Sequence, residues 1–300
     1  MKKSKTAIRM SNGDRVLDTV FTIILAVYLL VLIYPLVFVL SSSFSSGEAV
    51  IRGQVLLWPV NFSLEGYKLV FENKDIWRAY GNTIFYTVTG TMLSLFLTIL
   101  AAYPMSRRNF QGKGFFGILF MIPMFFGGGL IPTYILASNL KIVGTRWPMI
   151  LMNALNIYNM IIMRTFFQNT VPEDLYEAAK LDGSSDIQYL LRILMPLSKP
   201  VIAVICMYYA VAIWNNYFTG MIYVRTQEFM PLQNTLRQIL NSVKIDLSTV
   251  QDPQMIAQNQ YLANVMKYAL VVVSTVPILT IYPFIQKYFT KGVMIGSVKG

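Results

Sequence analysis

The stretch VLDTVFTIILAVYLLVLIYPLVFVL, residues 16–40, decides the fold class of this chain. It is apolar except near its beginning, where Asp18 stands, and it has the length of about 17 to 25 residues that a helix needs to cross a bilayer. A secretory signal is the alternative, because several basic residues precede it. The apolar run is too long for a signal, however, and it lacks a small-residue cleavage site. We therefore expect a retained membrane span.

The rest of the chain repeats this character. Of its 300 residues, 55% are hydrophobic and 13% are charged, and the mean hydropathy is +0.52, so the chain is more apolar and much less charged than a soluble domain. The sequence predicts an all-α, polytopic membrane protein with six transmembrane helices in a single domain, residues 1–300, whose first helix (16–40) is appended to a core at 82–290. The predicted spans are 16–40, 83–105, 115–136, 148–163, 200–224 and 268–287.

The distribution of basic residues predicts the orientation. The formal net charge of +11 would suggest nucleic-acid binding in a soluble protein, but here the bases cluster beside the apolar runs. Cytoplasmic loops of membrane proteins carry the excess of Lys and Arg. Both termini are therefore expected in the cytoplasm, and no nucleic-acid partner is expected. The bases on the predicted cytoplasmic side are Lys2, Lys3, Lys5, Arg9, Arg15, Arg107, Arg108, Lys113, Arg164, Lys180, Arg192, Lys199, Lys287, Lys291 and Lys299.

Several residue types that catalysis needs are missing. Histidine, the commonest general base and metal ligand, is absent, and the single cysteine, Cys206, lies within an apolar run, where a small buried hydrophobe is the ordinary interpretation. None of the predicted spans has an ionisable residue near its centre, as ion-driven carriers do. A Walker A loop is also missing. We therefore expect no enzyme activity, no catalytic or metal site and no cofactor on this chain.

The segment between the fourth and fifth predicted spans carries a distinct pattern. It reads TVPEDLYEAAKLDG from Thr170, which has capping-box spacing with the glutamate three positions later, and Gly183 suits a left-handed helix stop. A second capping box starts at Ser185, and we expect Pro196 to break the following helix. The pattern predicts an elbow of two short helices, residues 170–197, with a positive φ at Gly183. An amphipathic pair resting on lipid headgroups is the alternative.

The elbow resembles the signature loop of bacterial ABC importer permeases. That loop has the pattern Glu-Ala-Ala, three residues, Gly, nine residues, Ile, one residue, Leu-Pro. The departure in this chain is Met195, which replaces the leucine and has a similar volume. The matching positions are Glu177, Ala178, Ala179, Gly183, Ile193 and Pro196.

The resemblance implies a role for the elbow. In that family it is the coupling helix, which docks in a cleft of the cytoplasmic ATPase and transmits the closure of that cleft to the spans. ATP and Mg²⁺ would then bind to a partner subunit. Leu175, Ala178, Ala179 and Asp182 have the spacing of one helix face. We therefore expect the ATPase to dock against the two alanines.

Two further segments are similar to those of carbohydrate-importer permeases. They are WNNYF, which begins at Trp214, and the pair Asn82-Thr83. A pathway for sugars needs amides that bond to hydroxyls and aromatic rings that stack on apolar faces. Alternatively, the amides bond across helices as packing groups, which is their commoner role in membranes. The candidate pathway residues are Asn153, Asn156, Tyr208, Tyr209, Trp214, Asn215 and Asn216.

The resemblance implies the permease subunit of an ATP-driven, binding-protein-dependent carbohydrate importer in the bacterial cytoplasmic membrane. The similarity of the WNNYF segment to permeases for complex oligosaccharides, some of which contain uronates, implies a substrate of that class. The implied partners are a second, homologous permease in a heterodimer, a cytoplasmic ATPase dimer, an extracytoplasmic solute-binding protein, the sugar and the lipid bilayer. One alternative is a stand-alone facilitator or channel for small polar solutes, which would need no elbow. Another is a membrane enzyme, which the missing histidine disfavours.

The predicted outer loop at 225–267 is long for a mere connection. In related permeases the corresponding loop meets the solute-binding protein, so we expect docking there and a short amphipathic helix at 235–243. A solvated cap over the helices is the alternative.

Overall fold

The computed structural model describes residues 12–152, 154–169, 171–249, 261, 264–280 and 283. Within these ranges the secondary structure is helical, apart from an isolated β-bridge between Ser45 and Phe62. This confirms the all-α class. The helices are α1 (Asn12–Ser43), α2 (Gly47–Ile51), α3 (Glu65–Glu72), α4 (Lys74–Ser106), α5 (Lys113–Phe125), α6 (Leu130–Asn139), α7 (Trp147–Leu151), α8 (Ile157–Asn169), α9 (Glu173–Leu181), α10 (Asp186–Tyr189), a π turn (Leu190–Leu194), α11 (Met195–Leu197), α12 (Lys199–Trp214), α13 (Tyr217–Tyr223), a 3₁₀ turn (Gln227–Phe229), α14 (Leu232–Thr249) and α15 (Asn264–Thr280).

The chain divides into two compact units, each described by itself. The first comprises residues 1–72 and 242–273, and the second comprises residues 73–241 and 274–300. The predicted arrangement of an appended first helix and a core at 82–290 in one domain stays a prediction.

In the first unit, α2 and α3 pack against the beginning of α15. A Cβ added at Gly66 would lie 2.5 Å from the carbonyl oxygen of Val265, so a side chain at this position would push the helices apart. The Tyr261 hydroxyl donates a hydrogen bond to Glu65 Oε2 at 2.5 Å. In contrast, the apolar side chains of α1 are exposed along most of its length, as expected of a helix that meets lipid.

In the second unit, α4 is the central helix and packs against α8 and α12. Small and hydroxyl-bearing residues on α4 allow this close packing. Thr98 is fully buried, and a Cβ added at Gly90 would lie 2.8 Å from Ile213 Cδ1 on α12. The buried core beside these helices includes Met163 on α8 and Ile205 on α12. This unit positions both candidate sites.

Several of the predicted spans are interrupted. Among the described residues, α1 and α4 are long and apolar enough to cross a membrane, and the number rises to four if each of two bent helix pairs is one span. One pair is α5 and α6, which bend by 112° at three consecutive glycines, 127–129. The fourth predicted span is divided between α7 and α8, and the fifth between α12 and α13. The sixth continues beyond α15 into residues outside the described part, so the count of six stays a prediction.

The second bent pair shows that one expectation about Pro196 was wrong. The helix does not break there but continues through α11, and the 83° bend lies between Leu197 and Lys199. Immediately before this proline, the Met195 N–H donates to the Leu190 carbonyl, five positions earlier, which is the hydrogen-bond spacing of a π turn. The Ser198 N–H then donates to the Leu194 carbonyl at 2.9 Å and ends the helix.

Candidate functional site

The elbow is built by hydrogen bonds between near neighbours. At the end of α9, Ser184 N–H donates to the Ala179 carbonyl at 2.9 Å and Gly183 N–H to the Lys180 carbonyl at 3.0 Å. This pair of bonds is the Schellman motif, which requires a left-handed residue between the helix and its exit. Gly183 has φ of 75°, so the predicted positive φ is confirmed.

The second arm of the elbow begins with the predicted capping box. Ser185 Oγ accepts from the Gln188 N–H at 3.3 Å, and Gln188 Oε1 accepts from the Ser185 N–H at 3.0 Å. This confirms the box at the start of α10. Thr170, which we expected to cap α9, lies outside the described residues.

A network of side chains holds the two arms together. Asp186 Oδ1 accepts from Tyr176 OH at 2.9 Å and lies 3.0 Å from Lys180 Nζ. The hydrogen bond to Asp186 raises the pKa of Lys180, while desolvation, followed by the hydrogen bond to Asp186, raises the pKa of Tyr176. Both groups already carry their protons at neutral pH, and the upward shifts reflect the favourable contact of the protonated groups with Asp186.

The two alanines of the elbow face in different directions. Ala178 is exposed, but Ala179 is only 6% exposed and belongs to the buried core that includes Phe167 and Tyr189. The expectation that both alanines form one docking face is therefore wrong for Ala179. Its small side chain lets α9 approach the core. Of the other motif residues, Glu177 and Pro196 are exposed and Ile193 is half-buried.

The elbow also presents apolar side chains that the motif comparison did not identify. Leu181 is 90% exposed and Ile187 is 69% exposed, and Leu175 and Leu191 are exposed as well. The helical spacing of these residues was visible in the sequence, but their outward direction depends on how the helices pack. Together with Ala178 they give the elbow an apolar surface that a partner could cover.

A cavity of about 640 Å³ lies among α4, α7, α8, α12 and α13. It combines amides, phenols and apolar side chains, and no charged side chain belongs to its lining within the described part of the chain. The lining residues are Ser94, Met149, Ile150, Met152, Asn156, Tyr158, Asn159, Tyr208, Tyr209, Ala212, Ile213, Asn215, Asn216, Tyr217 and Phe218.

This lining brings most of the predicted pathway residues together, but Trp214 is not among them. Trp214 is 5% exposed, and its indole N–H donates to the Ser274 carbonyl at 3.1 Å. Its position is that of a packing residue, so the expectation that Trp214 lines the pathway is not met at this cavity. Asn153 lies outside the described residues.

The asparagines interrupt helices at the cavity. Asn156 Oδ1 accepts from Asn159 N–H at 3.1 Å and caps α8, while Asn216 Oδ1 accepts from Thr219 N–H at 3.1 Å and caps α13. Each cap uses the amide oxygen. The NH₂ groups of Asn156 and Asn216 make no hydrogen bond within the described residues, so both are donors available to a ligand.

A chain of hydrogen bonds supports the wall of the cavity. Asn156 N–H donates to Tyr209 OH at 3.1 Å, Tyr209 OH is 2.7 Å from Thr98 Oγ1, and Thr98 Oγ1 donates to the Ser94 carbonyl at 2.7 Å. Since the Thr98 proton goes to Ser94, the Tyr209 hydroxyl donates to Thr98. The phenol therefore ties the cap of α8 to α4.

Sequence inspection missed Ser94, Tyr158 and Tyr217 in the lining of the cavity. The two tyrosines lie within two positions of the predicted Asn156 and Asn216, and this proximity was a usable signal.

Relatives of this chain share nearly its whole length. It is 39% identical to Protein LplC of Bacillus subtilis (strain 168), with 97% of each chain covered. It is 37% identical to the polygalacturonan/rhamnogalacturonan transport system permease protein YtcP of the same organism, with 96% of this chain and 99% of that protein covered.

A solved structure has the same fold. It is a bacterial ABC transporter involved in the import of the acidic polysaccharide alginate, and the matched chain has a TM-score of 0.84 and 32% identity, covering 94% of this chain and 100% of its own. Residues 90–295 match the model of the binding-protein-dependent transport system inner membrane component family. This match includes the elbow and the cavity, and the chain belongs to that family.

Proposed function

We propose that this chain is the membrane-spanning permease subunit of an ATP-driven importer that takes oligosaccharides from an extracytoplasmic solute-binding protein. The observation that carries the proposal is the elbow, in which the signature pattern coincides with the Schellman turn at Gly183 and an exposed apolar surface. A stand-alone channel would have no use for this surface. ATP hydrolysis, with its Mg²⁺, takes place on the partner ATPase dimer.

The topology that we propose is supported by the family match and by the apolar helices α1 and α4. Six spans place both termini and the elbow in the bacterial cytoplasm, where the ATPase docks. The second permease of a heterodimer covers apolar surface that is exposed in this chain, such as α5, of which no residue is buried. The segment from the 3₁₀ turn through α14 meets the solute-binding protein.

The substrate class that we propose is an oligosaccharide, with uronate-containing chains foremost. The uncharged cavity offers amide donors at Asn156 and Asn216 for hydroxyls and tyrosine rings for the apolar faces of sugars. Two relatives support the choice of acidic glycans. One is a transport system permease for polygalacturonan or rhamnogalacturonan, and the other belongs to a transporter involved in the import of alginate. The cavity itself supplies sugar contacts, and among the described residues it supplies no charge to pair with carboxylates.

Reconstitution tests this function. The chain would be co-purified with its second permease and ATPase, placed in proteoliposomes, and supplied with binding protein and a labelled oligogalacturonide. We expect uptake only when ATP and the binding protein are both present, and a neutral maltodextrin serves as the comparison substrate. Uptake that continues without ATP would instead identify a facilitator and reject the importer.

A further inference from the structure

A buried arginine stands where α4 meets the elbow. Arg107 directly follows the last residue of α4 and is 8% exposed. Its guanidinium carbon lies 4.7 Å from the ring centroid of Tyr176, 5.4 Å from that of Tyr189 and 5.8 Å from that of Tyr103. These distances allow a cation–π interaction with each ring. We refer to Arg107 and the three tyrosines as the arginine cage.

The positive charge of Arg107 is compensated by three aromatic ring faces and one carboxylate. Arg107 Nη1 lies 3.7 Å from Glu173 Oε1, which is an ion pair but too long for a hydrogen bond. Nε and Nη1 have no hydrogen-bond partner among the described residues. Because a buried cation is costly without compensation, the contacts with the rings and Glu173 fix the position of the guanidinium.

The cage joins three elements. Tyr103 belongs to α4, Tyr176 and Glu173 to α9, and Tyr189 to α10. Tyr176 and Tyr189 also meet edge to face with their centroids 5.0 Å apart, and Tyr103 OH donates to the Asp186 carbonyl at 3.2 Å. Displacement of either arm of the elbow therefore moves rings that contact Arg107.

We propose that Arg107 is a positioning residue that transmits displacement of the elbow to α4, and this inference rests on the proposed importer function. The same helix reaches the cavity, since Ser94 belongs to the cavity lining and Thr98 holds the hydroxyl of Tyr209. The route runs from the ATPase surface through the cage and along α4 to the cap of α8 at Asn156. In this route the cage is the contact between the elbow and α4.

The experiment measures oligosaccharide transported per ATP hydrolysed in proteoliposomes that contain the assembled complex and the binding protein. Arg107→Met keeps an unbranched, flexible side chain but removes the guanidinium and its charge, so this ratio should fall by about tenfold. Arg107→Lys keeps a cation for the rings and should retain most of the ratio. The matched control is Arg108→Met, which removes the charge of the adjacent, exposed arginine and should leave the ratio unchanged.

Two results separate this inference from the importer function. A wild-type ratio in Arg107→Met, measured on an assembled complex, overturns the role of Arg107 and leaves the importer intact. Absence of ATP-dependent uptake by the wild-type complex overturns both. If Arg107→Met fails to assemble, Tyr176→Leu takes its place and Tyr176→Phe, which keeps the ring, is its control; equal ratios in these two variants would likewise overturn the proposal.

Discussion

The elbow takes its geometry from residues close together in the sequence, whereas the cavity takes it from residues far apart. The Schellman bonds and the capping box of the elbow connect residues within five positions of each other. At the cavity, Tyr209 bonds to Asn156 and Thr98 across 53 and 111 positions. A local motif can therefore be recognised from spacing alone, while the cavity depends on how α4, α8 and α12 pack. Substitutions in the two regions should have different consequences.

The largest effect is expected at the exposed alanine of the elbow. Ala178→Arg places a long charged side chain on the apolar docking surface, and it should lower ATP hydrolysis stimulated by the binding protein by at least about thirtyfold, as loss of an interface hot spot does. Assembly of the two permeases should persist, because Ala178 is exposed. Stimulated hydrolysis by the purified complex is the measurement.

A matched substitution makes that result specific. Asn109→Arg adds the same side chain to the exposed connection between α4 and α5, and it should leave stimulated hydrolysis at the wild-type level. Wild-type stimulation in Ala178→Arg would show that the ATPase does not approach this face of α9.

A smaller effect, on stability, is expected at the cavity. Tyr209→Phe removes the hydroxyl that accepts from Asn156 N–H and donates to Thr98, and unsatisfied buried groups of this kind cost about 1–3 kcal/mol. The melting temperature in detergent should fall. Tyr208→Phe is the control, because Tyr208 is 40% exposed and its hydroxyl makes no hydrogen bond within the described part of the chain. Equal melting temperatures for the two variants would contradict the supporting role of Tyr209.

The smallest effect is expected at the turn of the elbow. Gly183→Ala must hold a Cβ at φ of 75°, which costs about 1–2 kcal/mol in the left-handed region. We expect a modest fall in the melting temperature. Gly114→Ala is the comparison, since Gly114 lies in the first turn of α5 with open space around it, and there alanine should be neutral or slightly stabilising. A fall at Gly114 as large as at Gly183 would mean that backbone conformation is not the cause.

The local part of the elbow was predictable because short-range bonding follows residue type. Gly183 and the box from Ser185 to Gln188 were found from spacing, and the structure confirms them. The direction of Ala179 was not predictable in this way. Ala178 and Ala179 are adjacent on the helix, and only the position of the core decides which of them is buried.

The cavity was predictable in its residue types but not in its construction. Amides and tyrosines suggested a polar pathway, and Asn156, Tyr209 and Asn216 do line the same cavity. The helix breaks at these asparagines were missed, because an average of hydropathy over a span does not register a side chain that caps a new helix. The packing position of Trp214 was missed for a related reason, since its hydrogen-bond partner, Ser274, is 60 positions away in the sequence.

The π turn at Leu190–Leu194 has a consequence for insertions and deletions. A π turn holds one residue more than an α turn, because each N–H bonds five positions back rather than four. Loss of one residue within Leu190–Leu194 can therefore be absorbed as an ordinary α turn, and Pro196 would keep its direction relative to Gly183. Loss of one residue from α10 has no such compensation, because each residue of an ordinary helix turns the next side chain by about 100°, and it would change the direction in which α12 leaves the elbow.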